Sequence, residues 1–172
     1  MLASQPPARH QRYVLIEFSP SAGCLGSIVS VVTDFCRNVV DDPEIRDAFQ
    51  LAAYELTENL VKYSSGNRTT IRIAVESTSR GPELVLTTEN DATPERLADV
   101  VARLEAVEAA EEPVRHFDQL VQESILSSDE SRLGLGRLRA EGELSVSHEV
   151  DEQRLRIQVR RTIRQLEEDN IQ

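Results

Sequence analysis

The sequence has no tryptophan, one methionine, three tyrosines and four phenylalanines in 172 residues. So few flat rings argue against a site that stacks bases or cages a cation. Cysteine is scarce too. Cys24 and Cys36 form no CxxC pair and have no histidine cluster nearby, which fits neither a zinc site nor a disulfide framework. Both read as small buried apolar residues. No apolar run approaches the ~20 residues of a membrane span. The opening stretch MLASQPPARHQR is polar and lacks the core of a signal peptide, so the chain is expected in the cytoplasm. Basic residues are outnumbered, with 19 Lys and Arg against 30 Asp and Glu, a net charge of -11. That balance argues against nucleic acid as a partner. It suits a basic protein partner, or a metal–nucleotide complex reached through a local basic patch.

What is present suits one domain over residues 12–162, with a loose leader at 1–11 and a tail at 163–172. Tyr13–Phe18 is rich in strand formers. Ser19 and Pro20 read as the cap and first turn of a helix over Cys24–Val39. Pro43 opens a second helix reaching about Tyr63, with Phe49, Ala52, Ala53, Leu56 and Leu60 as its apolar stripe. Thr69–Glu76 and Glu83–Thr88 predict a hairpin turned at Ser79–Pro82. Thr93–Ala109 and Val114–Ile125 carry helical stripes, the second made of Phe117, Leu120, Val121 and Ile125. Ser127–Arg132 is a polar loop, and Leu133–Ala140 enters another helix. Glu143–His148 and Arg154–Arg160 alternate strictly and predict a closing hairpin turned at Asp151-Glu152. Hairpins and paired helices in this order predict an α+β two-layer sandwich. Its sheet is mixed but mostly antiparallel, with helices on one face.

The second helix carries the most chemistry. With Phe49 at zero and about 100° per residue, the apolar stripe spans about 300° to 40°. Glu55, Asn59 and Lys62 fall at about 240°, 280° and 220°. The three share a flank beside the stripe and outside it. An amide oxygen can ligate Mg2+. A carboxylate can orient or deprotonate a hydroxyl. An ammonium can pair with phosphate. The plainer reading is a solvated face with i,i+4 pairs.

The wording around this trio, Glu55-Leu-Thr-Glu-Asn59-Leu-Val-Lys-Tyr-Ser64, resembles the N-box of the histidine-kinase-like ATPases (GHKL). Gly134-Leu135-Gly136 resembles their second glycine box. The resemblance runs over residues 12–162 and is nearest to the anti-sigma-factor Ser/Thr switch kinases, in particular their SiaB-like branch. It implies a Bergerat-type ATPase fold with ATP and Mg2+ as cofactors. Asn59 would ligate the metal, Glu55 would act as general base, and Lys62, Arg132 and the Gly134–Gly136 turn would meet phosphates. The implied activity transfers the γ-phosphoryl group of ATP to a Ser or Thr of a STAS-domain partner, in a partner-switching system. An isologous homodimer through the N-terminal strand or helix is common among such kinases. Read alone, the two glycines are a tight loop before a helix.

Two features depart from the family pattern. The first glycine box, DxGxG, is replaced by Glu89-Asn90-Asp91-Ala92-Thr93-Pro94. Asp91 there is either the adenine reader or, as the preferred reading, the cap of the next helix. The lid is replaced by two acidic amphipathic helices that either close over the site or fill it. These departures support a second function, a non-catalytic adaptor that sequesters a sigma factor or STAS protein. His10, His116 and His148 are scattered and read as surface or packing residues.

Overall fold

Alternating and helical apolar periods sort this chain into one sheet and one helical layer. The computed structural model describes residues 12–66, 68–127 and 133–164. Arg132, most of the Ser127–Arg132 loop, the leader at 1–11 and the end of the tail at 165–172 lie outside them. The elements are β1 (Tyr13–Phe18), α1 (Leu25–Val39), α2 (Pro43–Tyr63), β2 (Thr69–Thr78), β3 (Gly81–Asp91), α3 (Pro94–Ala109), α4 (Pro113–Ser127), α5 (Leu133–Ala140), β4 (Ser145–Asp151) and β5 (Arg154–Thr162).

The strands form one sheet in the order β1-β2-β3-β5-β4. Every described pairing is antiparallel, so the expected mixed character is corrected. The β2–β3 and β4–β5 hairpins each pair with themselves, and β3 meets β5 in the same sense. No parallel crossover is needed. Ile71, Ile73, Leu84, Leu86, Leu155, Ile157 and Val159 face the helices and join Phe49, Ala52 and Leu56 of α2 in the core. Burying a side chain such as Phe49 or Leu56 stabilises the fold by roughly 1.5–3 kcal/mol. The other sheet face carries Arg72, Glu83, Glu89, Arg154, Arg156, Gln158 and Arg160, tied by cross-strand pairs. The architecture is α+β in two layers, as the residue patterns imply.

α2 starts where Asp42 accepts a hydrogen bond from the Glu44 N–H (2.9 Å) and Pro43 occupies the first turn. The five residues of its expected stripe are all buried. Ser19 does not cap α1. The Cys24 N–H returns to Ser21 O (3.0 Å), closing a short 3-10 turn over Ala22–Cys24, and α1 begins only after it. The hairpin strands run longer than expected because the turn tightens at Gly81, whose φ is 116°. β4 starts two residues later than expected, after Glu143 at φ 51°. Its turn falls one residue later too, with Glu152 at φ 54°. Cys36 is buried, and burial pushes its thiol up to about 12. Cys24 is only half-buried, which corrects that expectation.

Candidate functional site

α2 and α5 bring the two sequence words together. Glu55 lies on α2, and its Oε1 accepts a hydrogen bond from Arg137 Nη1 of α5 at 3.1 Å, across 82 residues of chain. Gly134 stands against the same carboxylate. A Cβ added there would overlap Glu55 Oε2 and lie 3.0 Å from its Cδ. Glycine at 134 is therefore a close-approach position. Neither Gly134 nor Gly136 has positive φ, and both lie inside α5. This corrects the expected glycine loop: the residues serve by lacking a side chain, with no need of turn conformation.

Glu55 is buried, although the helical wheel places it outside the apolar stripe. A second helix packed on that flank removes it from water. Burial pushes its carboxyl above the ordinary range, while Arg137 pulls it down; Glu58 adds to the rise and Lys62 opposes it. Arg137 also approaches Glu141 (3.6 Å) and lies over the Phe117 ring of α4 at 6.0 Å. Leu135, between the two glycines, is buried in the core.

Asn59 sits one turn after Glu55, half-buried, and its amide makes no side-chain hydrogen bond among the described residues. Lys62 is exposed and pairs with Glu58 at 3.2 Å, an ordinary surface i,i+4 pair. The trio thus shares a helix but divides by environment: Glu55 is enclosed, Asn59 borders it, and Lys62 is in water.

Asp91 does not cap α3. Thr93 does, its Oγ1 facing the Arg96 N–H at 3.5 Å. Asp91 ends β3, where its carbonyl accepts from the Ser65 N–H (2.8 Å) and its carboxylate lies 3.6 Å from Arg154. It stands at the end of α2, beside Gly66.

Some site residues have no signal in the family words. Leu120 and Phe117 of α4 cover Gly136, where a Cβ would lie 2.8 and 3.4 Å from their side chains. Arg103 of α3 donates to the Tyr63 hydroxyl at 2.9 Å, and Arg96 donates to the Ser64 carbonyl at 3.4 Å. Two glycines in a helix of eight residues are the clue that sequence reading could use for α4. Glycine weakens a helix interior, so its presence there points to a close neighbour.

The fold is similar to that of a chain in the crystal structure of the SiaB–SiaC complex from Pseudomonas aeruginosa. The TM-score is 0.59 at 14% sequence identity, over 86% of this chain and 88% of that one. At such identity the likeness is one of fold. No family model and no curated protein matches the sequence.

The donor chemistry suits a magnesium nucleotide better than the space does. An amide oxygen with a neighbouring carboxylate and guanidinium is an acceptable set, since Mg2+ takes few protein ligands. Among the described residues no group of three or more His, Cys, Asp or Glu side chains could hold a metal by itself. The glycine positions, however, are filled by Glu55, Phe117 and Leu120. A cavity of about 270 Å³ between α3 and α4 is lined by Asp99, Arg103, His116 and Leu120 among others. That is smaller than the roughly 300–1,000 Å³ usual for ligand pockets. In this seating of α4, the space over Gly136 is occupied by the side chains of Leu120 and Phe117. No described helix is long and apolar enough to cross a membrane.

Proposed function

We propose that this chain is a regulatory protein of the partner-switching kind, acting as an ATP-dependent Ser/Thr kinase on a SiaC-like or STAS-domain partner. The observation that carries the reading is the meeting of the N-box word with the glycine word: Glu55 lies on Gly134 and pairs with Arg137. The likeness of fold to a chain crystallised as a SiaB–SiaC complex supports a protein partner of that type. When bound, a nucleotide would supply the phosphoryl group, and Asn59 would offer its amide oxygen to the accompanying metal. Glu55, whose carboxyl burial holds above the ordinary range, accepts a proton from the acceptor hydroxyl. Arg137 stabilises the ionised form of Glu55 at need.

A second reading has its own support. The filled glycine positions favour an adaptor that binds a sigma factor or STAS protein without nucleotide. Calorimetry with Mg-ATP separates the two. Millimolar binding by the wild type, abolished in Asn59→Ala, is the expected result. Absence of any binding by the wild type sinks the kinase and leaves the adaptor. If nucleotide binds, Glu55→Gln should retain it and lose transfer to the partner; undiminished transfer removes Glu55 from the role of base.

A further inference from the structure

α4 is seated on one side and open on the next. Leu120 and Phe117 rest on Gly136, and Ser124 is buried, its hydroxyl donating to the Val121 carbonyl at 2.8 Å. Beside that seat runs a second apolar line. With Val114 at zero and about 100° per residue, Val121 falls at about 340° and Ile125 at about 20°. The line is about 16 Å long. Val114 and Ile125 are 60% and 75% exposed, the two most exposed large apolar side chains among the described residues. Val121 between them is half-buried. Scattered apolar side chains at a surface need no explanation, but a line along one helix marks a contact surface. The stripe of α3, by contrast, is buried at Val100, Leu104 and Val107.

The surroundings of this line are acidic. Residues 105–125 hold six Asp and Glu against one arginine. That arginine, Arg115, is paired with Glu112 at 3.4 Å. Asp118 is exposed about 40° from the line, and Glu111 and Glu112 are exposed at its N-terminal end. The guanidinium over Phe117, Arg137, is already matched by Glu55 and Glu141. Such a surround repels nucleic acid and anionic lipid. It also opposes a second copy, which brings the same acidic face from a chain of net charge -11. It favours an occupant with apolar residues at helical spacing flanked by Lys or Arg.

We propose that the Val114–Val121–Ile125 line of α4 is the docking surface for a basic amphipathic helix of a protein partner. This goes beyond the kinase and adaptor readings by assigning the contact and its chemistry. It rests on their shared premise of a protein partner, and it does not depend on nucleotide.

The probe is a synthetic helix of about five turns, Leu at core spacing and Lys elsewhere, titrated into the full chain without Mg-ATP at about 0.15 M salt. Backbone amide shifts in NMR should report saturable binding with the largest changes in α4. A peptide with Glu in place of Lys should bind at least ~10-fold more weakly. Val114→Ser combined with Ile125→Ser should weaken the Lys peptide about 10-fold, since two apolar contacts are lost. No saturable binding overturns the proposal. So do shifts centred outside α4, equal affinity for the Glu peptide, or an unaffected double variant. Concentration-dependent dimers in sedimentation that the double variant abolishes would give the line to a second copy and overturn it too. Both substituted side chains are exposed, so the variant should melt with the wild type. If it does not, the shift map and the Lys–Glu comparison on the wild type decide. Docking in a chain that binds no Mg-ATP keeps this surface and removes the kinase; Mg-ATP binding without docking does the reverse.

Discussion

Glu55 and Glu89 are both paired with arginine, and their carboxyls move in opposite directions. Glu89 lies on the sheet face away from the helices. Its Oε2 accepts from Arg154 Nη2 and Nε (2.8 and 3.2 Å) and its Oε1 from Arg156 Nε (2.8 Å). Burial alone would raise its carboxyl, but the hydrogen bonds from the two guanidiniums outweigh it and hold the group below the ordinary range. Glu55 has one guanidinium contact, at 3.1 Å, and its second oxygen faces Gly134. There desolvation wins. The contrast teaches that an arginine partner does not by itself set the charge state of a carboxylate. The number of charge-assisted hydrogen bonds weighed against lost hydration does. A carboxyl poised upward suits proton transfer; one locked downward suits holding strands together.

Gly134→Val should produce the largest effect on this comparison. It drives side-chain atoms into the Glu55 carboxylate and costs about 2–3 kcal/mol by overpacking. Urea unfolding should show the loss, and a Glu55→Ala background should recover at least half of it through coupling. Full additivity of the two changes would disprove the contact. Arg137→Ala leaves Glu55 enclosed without its partner. The loss should be about 1–2 kcal/mol, discounted from that of a wholly buried pair because the Arg137 side chain is 36% exposed. Adding Glu55→Gln should shrink it.

The signs of the two shifts set opposite pH slopes. Below the ordinary unfolded carboxyl value of about 4.3, Glu55 is protonated in both states. As pH rises from there through its raised folded value, ionising the enclosed group lowers stability. The stabilisation from Glu89 is fully present above about 4.3 and is lost as pH falls through its lowered folded value. Urea midpoints from acid to neutral pH should therefore show Glu55→Gln gaining on the wild type as pH rises, and Glu89→Gln falling behind. Parallel slopes would end the contrast. The smallest change belongs to Lys62→Ala. Its exposed pair with Glu58 should be worth under about 0.5 kcal/mol in the same unfolding experiment. A larger loss would mean that Lys62 acts beyond that pair.

Much of the layer order is legible in the residues. The period of Phe49, Ala52, Ala53, Leu56 and Leu60 identifies the buried face of α2. Strict alternation identifies the closing hairpin, because a strand buried on one face must alternate, while strand formers on either side of the Ser79–Pro82 turn identify the first. The α4 stripe is legible only in part, since Ile125 lies exposed. Its periodicity reports a helix; how deeply that helix sits depends on what lies beneath it. Glu89 and its two arginines carry no sequence signal, because they come from strands that pair only through the sheet.

The sequence alone determined that Glu55, Asn59 and Lys62 share a helix flank, since backbone geometry turns spacing directly into direction. It also determined that a glycine word enters a helix before the closing hairpin. Only the tertiary structure decided that the flank is split, with Glu55 enclosed against Gly134 and Arg137 while Lys62 stays in water. It likewise decided that α4 sits on Gly136. Burial and charge state depend on which distant segment covers a surface, and the spacing of residues within one helix does not contain that information.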